Sequence, residues 1–180
     1  MKRMIFKVLF LYVFLSCVMP VSAQSNETLP RGYKDIHIGM DVDAVKAALV
    51  ADYIFGYRGE RDVSLLPTEN RSLIETSGSN WLDRCWFQFY EDILYTIIIN
   101  FNPEKIDYYS VYMQLSEKYG DPTSLSPEQV LWENDETSLS LERPVSVKYI
   151  DKAVFNDLLN KSTVEQAAVE QLRANILGDL

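Results

Sequence analysis

The sequence predicts an α+β fold: two units, each a short helix with antiparallel strands, set in tandem on a shared core and followed by a C-terminal helix. Three features of the pattern point there. Asp41 opens a segment in which Val42, Val45 and Leu49 recur at i, i+3 and i+7, the spacing of one helix face. Residues 81–101 are dense in aromatic and β-branched side chains at a two-residue period, the spacing of a strand with one buried side. The order helix, strands, helix, strands then runs along the chain, with both helix starts preceded by an apolar residue and a capping side chain.

The first 23 residues read as a secretory signal, with Lys2, Arg3 and Lys7 before the apolar run "VLFLYVFLSCVMP" and the small residues "VSA" at its end. Cleavage after Ala23 is the simplest expectation. The alternative is a lipid anchor on Cys17, which follows Leu15 and Ser16 as in a bacterial lipoprotein signal, although Phe14 stands where such signals usually carry Leu. The run from Val8 to Pro20 is shorter than the ~20 apolar residues a spanning helix needs, so no transmembrane span is expected in the mature chain.

Cleavage removes three of the 17 Lys and Arg and none of the 26 Asp and Glu, so the formal charge moves from −9 to −12. That balance repels phosphate backbones and anionic membrane surfaces, and no basic cluster overrides it locally. Nucleic acid is therefore rejected as a partner. With Cys17 gone, Cys85 is the one remaining thiol, and its place in "RCWFQFY" puts it on the strand face of Phe87 and Phe89 as a small buried hydrophobe.

The elements follow in order. Residues 24–34, "QSNETLPRGYK", read as a flexible leader before an α+β domain over 35–161. Within the first unit, about 35–101, Asp41 caps the helix, Asp43 sits in its first turn, and Met40 staples onto Val45. Residues 52–77 carry two Gly and one Pro among short apolar runs, which predicts irregular strands and a loop. The hairpin Trp81 to Tyr90 and Ile93 to Phe101 turns at "ED", and alternation places Tyr95, Ile97, Ile99 and Phe101 on one face, with Leu94, Thr96, Ile98 and Asn100 on the other.

The second unit, about 102–151, is expected to start a helix at Asn102 as cap, Pro103 as first helical residue and Ile106 as stapled partner. Tyr108, Val111, Tyr112, Leu115 and Tyr119 give its apolar stripe, and Gly120 followed by Asp121 and Pro122 stops it. Strands are predicted at "QVLW", "TSLSLE" and "VSVKYI". After a short helical stretch in "KAVFNDLL", Ser162 and Glu165 form a capping box that opens a C-terminal helix over 162–180. Its stripe of Val164, Ala168, Leu172 and Ile176 is expected to dock on the parent domain, with a partner protein as the alternative.

At "IHIGMDVDAVKAAL" the chain resembles exported proteins of the SmpA/OmlA type, also called BamE-like, through Gly39, Met40 and Val45. The second half is similar to the same superfamily's sequel through Tyr119, Gly120, Pro122 and Trp132, and the tandem order resembles the β-lactamase inhibitory protein fold over Asp35 to Asp151. The stretch around "FGYRGERDVSLLPTENRSLIETSG" fits neither unit. The whole chain also resembles a family of exported bacterial proteins marked by "FGYRGERDVSLLP" and "WFQFY", a resemblance that implies export and no particular activity. What the tandem resemblance implies is a sheet surface presented to another protein of the periplasm or cell envelope.

Catalytic material is sparse. His37 is the single histidine, no phosphate-binding or dinucleotide-binding glycine pattern occurs, and no metal or cofactor site is expected. "ENDE", Glu133 to Glu136, reads as a hairpin turn because it lacks the spacing of a calcium loop. The partner-binding candidates are Tyr57, Arg58, Glu60 and Arg61, whose guanidiniums offer bidentate donors to a carboxylate or phosphate unless nearby acids already take them. The expected function is that of an exported, non-enzymatic interaction protein. The alternative is a small carbohydrate-active or other hydrolase that works with two carboxylates beside aromatic platforms such as Trp81, Trp86 and Trp132.

Overall fold

The structure, a computed structural model, describes residues 28–66 and 70–178. Among these, a small ribbon of β1 (Gly32–Tyr33) and β2 (Ile36–His37) leads into helix α1 (Val42–Ala51). Two 3-10 turns, Tyr53–Phe55 and Gly59–Asp62, precede the meander β3 (Val63–Leu66), β4 (Arg71–Thr76), β5 (Leu82–Tyr90) and β6 (Ile93–Phe101). The second unit repeats this order with α2 (Tyr108–Tyr119) and the meander β7 (Ser124–Leu125), β8 (Gln129–Glu133), β9 (Thr137–Glu142) and β10 (Ser146–Asp151). Helix α3 (Lys152–Gly178) closes the chain.

Both meanders belong to one eight-stranded antiparallel sheet, in the order β3-β4-β5-β6-β10-β9-β8-β7. The last strand of each unit is therefore its inner edge. Ile99 stands opposite Val147 and Ile97 opposite Tyr149 across the β6–β10 seam, so the units share a core as the sequence predicts. That core lies on one side of the sheet, where Val45, Leu49, Phe55, Ile74, Phe87, Ile97, Leu139, Leu141 and Trp132 are buried. The stripe of α2, from Tyr108 and Val111 to Leu115 and Tyr119, packs half-buried against the same cluster.

The "IHIGM" stretch earns its position through the backbone. Gly39 N–H donates to the Leu94 carbonyl at 2.8 Å, and Leu94 N–H donates to the Met40 carbonyl at 2.9 Å, so the lead-in to α1 hangs on the start of β6. Gly39 makes this turn at φ +95°, a region L side chains rarely adopt. One residue later Asp41 caps the helix by accepting from Ala44 N–H at 2.8 Å. Met40 then packs against the cluster that Val45 enters.

Several expectations are corrected. Helix α2 starts at Tyr108, not after Asn102. The Asn102 side chain accepts from Glu104 N–H at 3.0 Å and its carbonyl from Ile106 N–H at 2.9 Å, which closes an isolated turn; Asp107 is the true cap, taking both the N–H and the hydroxyl of Ser110. In β6 the register shifts beside Phe89, so Leu94 faces the core with Ile97 while the phenol of Tyr95 reaches Gln88 and Arg71 on the other face. Leader residues from Thr28 onward are built into the domain, with Leu29 and Tyr33 on the core and Arg31 bonded to Asp151 at 2.7 Å; residues 24–27 lie outside the described residues.

The C-terminal correction is the largest. No helix starts at Ser162, because α3 runs unbroken through it. Neither Gly nor Pro interrupts the chain between Lys152 and Leu177, and the Thr163 hydroxyl bonds back to the Leu159 carbonyl at 2.9 Å instead of capping. The expected docking of the stripe is not seen either: Val164 and Leu172 are 69% and 61% exposed, Ala168 is exposed, and the Ile176 side chain lies outside the described residues.

Because a Cβ at Gly39 would meet no atom within 4 Å, Gly39→Ala tests the backbone conformation alone. It is expected to destabilise the fold by about 1–2 kcal/mol, read as a lower urea midpoint with an unchanged slope. An unchanged midpoint would show that this turn does not constrain the fold.

Candidate functional site

The face of the sheet away from α1 and α2 is built by simple alternation. Cys85, Phe87 and Phe89 point to the core, so Arg84, Trp86, Gln88 and Tyr90 point the other way, as do Leu73 and Glu75 on β4, Ile98 on β6, and Lys148 and Ile150 on β10. Trp86, Leu73, Ile98 and Ile150 are half-buried, and none of them joins the core cluster. They form an apolar patch of their own.

Polar side chains frame that patch in matched pairs. Arg84 reaches Glu75 at 3.1 Å while its guanidinium stands 5.8 Å from the Trp86 ring centroid, and Lys148 pairs with Glu142, which also accepts from Gln129 at 3.3 Å. Towards the hairpin turn, the Tyr95 hydroxyl donates to Gln88 at 3.1 Å and accepts from Arg71 at 3.2 Å. Helix α3 reaches this same side. Lys161 donates to the Tyr90 hydroxyl at 3.0 Å with its ammonium 5.1 Å from the ring, and Leu158 and Val154, one and two turns earlier on that face of the helix, are half-buried.

The four residues singled out in the sequence lie elsewhere, in the turn that precedes edge strand β3. Tyr57 is half-buried against the core. Arg58 clamps Asp62, whose carboxylate is fully enclosed: the guanidinium donates at 2.9 and 2.6 Å and the Arg58 N–H at 2.8 Å. Glu60 takes the Lys46 ammonium at 2.8 Å. Only Arg61 of the four is exposed without an ion pair or hydrogen bond among the described residues. The internal pairing weighed against a partner site is thus what Arg58 and Glu60 do.

Of the open-face residues only Trp86 is singled out in the sequence, as an aromatic platform; the face as a whole was missed, although the period of "RCWFQFY" already separates Trp86 from Phe87. Around "ENDE" the chain is a hairpin turn, in which the Asn134 side chain accepts from the N–H groups of Glu136 and Thr137. A shallow groove of about 310 Å³ beside it is lined by Arg31, Asp135 and Glu136, and Arg31 is already held by Asp151. Among the described residues no three His, Cys, Asp or Glu side chains gather to hold a metal ion. No described helix is long and apolar enough to cross a membrane.

The sequence matches the family model of the TP0088 domain over residues 31–161. The chain belongs to the TP0088 domain family. No curated protein and no solved structure matches it. The matched span takes in both helix-and-meander units and ends at Lys161, the residue through which α3 touches Tyr90. The distal part of α3, past Lys161, extends beyond the TP0088 domain.

Burial pushes the Cys85 thiol up to about 12, and burial likewise raises the Tyr149 phenol. Both stay protonated in the native state at a pH where the unfolded chain has released them, so the stability they carry is full below about pH 9 and falls as pH climbs towards about 12. Native protein at pH 8 should leave Cys85 unlabelled by iodoacetamide, and urea should expose it. Labelling as fast as in the unfolded chain would contradict the enclosed position.

Proposed function

We propose that this protein is an exported interaction protein of the bacterial periplasm or cell envelope, non-enzymatic, that binds another protein through the open face of its sheet. The observation that carries the reading is the patch of Trp86, Leu73, Ile98 and Ile150, apolar side chains that are half-buried on the side away from the core and framed by Arg84, Glu75, Lys148 and Tyr90. A tryptophan beneath an arginine in an apolar centre with a polar rim has the composition of an interface hot spot. The tandem order of helix and meander also supports the resemblance to BamE-like and β-lactamase inhibitory protein-like chains, whose sheets are expected to face a partner.

Export rests on the N-terminal signal pattern, which lies outside the described residues. Mass spectrometry of the native N-terminus should find Gln24 as the first residue. An acylated Cys17 would replace soluble export with lipid anchoring.

The binding face is tested by pull-down from a periplasmic extract with the wild type, with Trp86→Ala plus Leu73→Ala, and with Arg58→Lys plus Arg61→Ala, the lysine keeping a cation on the enclosed Asp62. The first pair should lower partner recovery by about tenfold or more and the second should leave it within about twofold. Equal recovery by the first pair would overturn the open-face reading. Loss confined to the second pair would move the site to the turn before β3.

A further inference from the structure

The carboxylate of Asp151 serves two segments that lie 120 residues apart in the chain. Its Oδ1 accepts from Val154 N–H at 3.0 Å, which caps the first turn of α3, and its Oδ2 accepts from the Arg31 guanidinium at 2.7 Å. The other terminal nitrogen of that guanidinium donates to the Thr137 hydroxyl at 3.1 Å and reaches Glu136 at 3.5 Å. Thr137 and Asp151 are the last pair of the β9–β10 ladder, so Arg31 lies across the end of that ladder. Arg31 also closes the N-terminal ribbon: its carbonyl accepts from Ile38 N–H at 2.7 Å, one residue before the Gly39 that hangs on β6.

Among the described residues the other holds on α3 are few. Lys152 ties its start to the β8–β9 turn through Glu133 at 3.1 Å and the Asn134 carbonyl at 2.8 Å, Val154 and Leu158 are half-buried, and Lys161 meets Tyr90. Every described side chain from Leu159 to Arg173 is exposed. A helix with so little packed surface depends on its first turns, which are the costliest to form and which need their free N–H groups capped. The capping carboxylate is itself enclosed, with Asp151 only 16% exposed, so without Arg31 its charge is left to the helix dipole alone.

We propose that Arg31 is a latch through which the N-terminal ribbon controls the seating of α3 across the Tyr90 end of the open sheet face. With the ribbon in place, the guanidinium holds Asp151 in the orientation that caps Val154, and Lys161 stays on Tyr90. When the ribbon lifts, Arg31 goes with it, the first turn of α3 loses its oriented cap, and the Tyr90 end of the face opens. The ribbon is the element nearest in sequence to the expected export signal, so the latch joins that end of the chain to the helix at the other. The latch holds whatever the open face binds; its use as a gate rests on that face being the binding surface.

Coupling of this kind is reciprocal, which separates a latch from a local ion pair. Amide hydrogen exchange of the full-length chain is followed by NMR in Arg31→Met and in Asp151→Asn, whose side-chain oxygen can still accept from Val154 N–H while its charge is gone. Arg31→Met should speed exchange over residues 152–161 by about tenfold or more, the worth of an oriented cap. Asp151→Asn should speed the Ile38 amide, on the far side of the contact, while the Ile97 and Ile99 amides at the β6–β10 seam stay within about twofold in both variants. Adding the second substitution to the first should change either segment by less than about twofold, because the shared bond is already broken. Exchange that rises only in the substituted segment overturns the latch, as does exchange unchanged in both. A rise that includes Ile97 and Ile99 reports general loosening and overturns it too. If the latch is seen and Arg31→Met leaves partner recovery in the pull-down unchanged, the gate falls while the latch and the open-face reading both stand.

Discussion

The seam between β6 and β10 is the constraint on which the rest of the molecule depends. Each meander alone would be a four-stranded sheet with two free edges, one of them lined by Ile97 and Ile99 or by Val147 and Tyr149. Pairing those two edges removes both at once and places the four side chains at the centre of a single core. At about 1.5–3 kcal/mol for each large apolar side chain fully buried, the seam links the stability of the two units closely enough that neither is expected to fold alone. The helices follow from it. A continuous sheet of eight strands has two faces, and α1 and α2 cover one of them.

What the helices do not cover becomes the surface available for function. On the open side the central strands also bury Thr96, Ser140 and Ser146. The groups that remain accessible there are the longer ones, Trp86, Arg84 and Lys148. Arranging those charges as pairs lowers the cost of covering the face, because each cation keeps its counter-ion when water leaves. The bulge at Tyr95 has a similar consequence. By turning one more aromatic side chain to the open side it supplies the platform of Tyr90, Tyr95 and Gln88 next to which α3 is seated.

Much of this was legible in the chain because local chemistry and tertiary demand agreed. Asp41, the two-residue turn at Glu91 and Asp92 with both φ values positive, the stop at Gly120 and the alternation of "VSVKYI" each have one physical solution, and the structure adopts it. Where two local solutions competed, the sequence was ambiguous. Asn102 and Asp107 are both good caps five residues apart, and the loop geometry after β6 decides for the second. Ser162 and Thr163 cap a helix or bond within one, and with Val154 and Leu158 already docked upstream, continuing costs less than restarting. The open face was hidden for a different reason: alternation separates Trp86 and Ile98 from the buried face, but only the strand pairing sets them side by side and shows that the helices take the other side. The turn of Tyr57 to Arg61 attracted attention by its charge, and the enclosed carboxylate of Asp62 explains most of that charge structurally.

Charge finally sorts partners by distance. Among the described residues most cations are committed at short range: Arg31, Lys34, Lys46, Arg58, Arg84, Lys148 and Lys152 in ion pairs, and Arg143 over the Tyr108 ring at 4.4 Å. The acidic excess is spread over turns and helix ends such as Asp43, Glu117 and Asp135, and it fixes the long-range field. That field discourages any acidic protein from approaching at random, a second copy included, and salt screens it within about 10 Å. Inside that distance the balance changes, because the open face presents paired charges and apolar rings in place of a net negative surface. At this face, contact is governed by packing more than by the field.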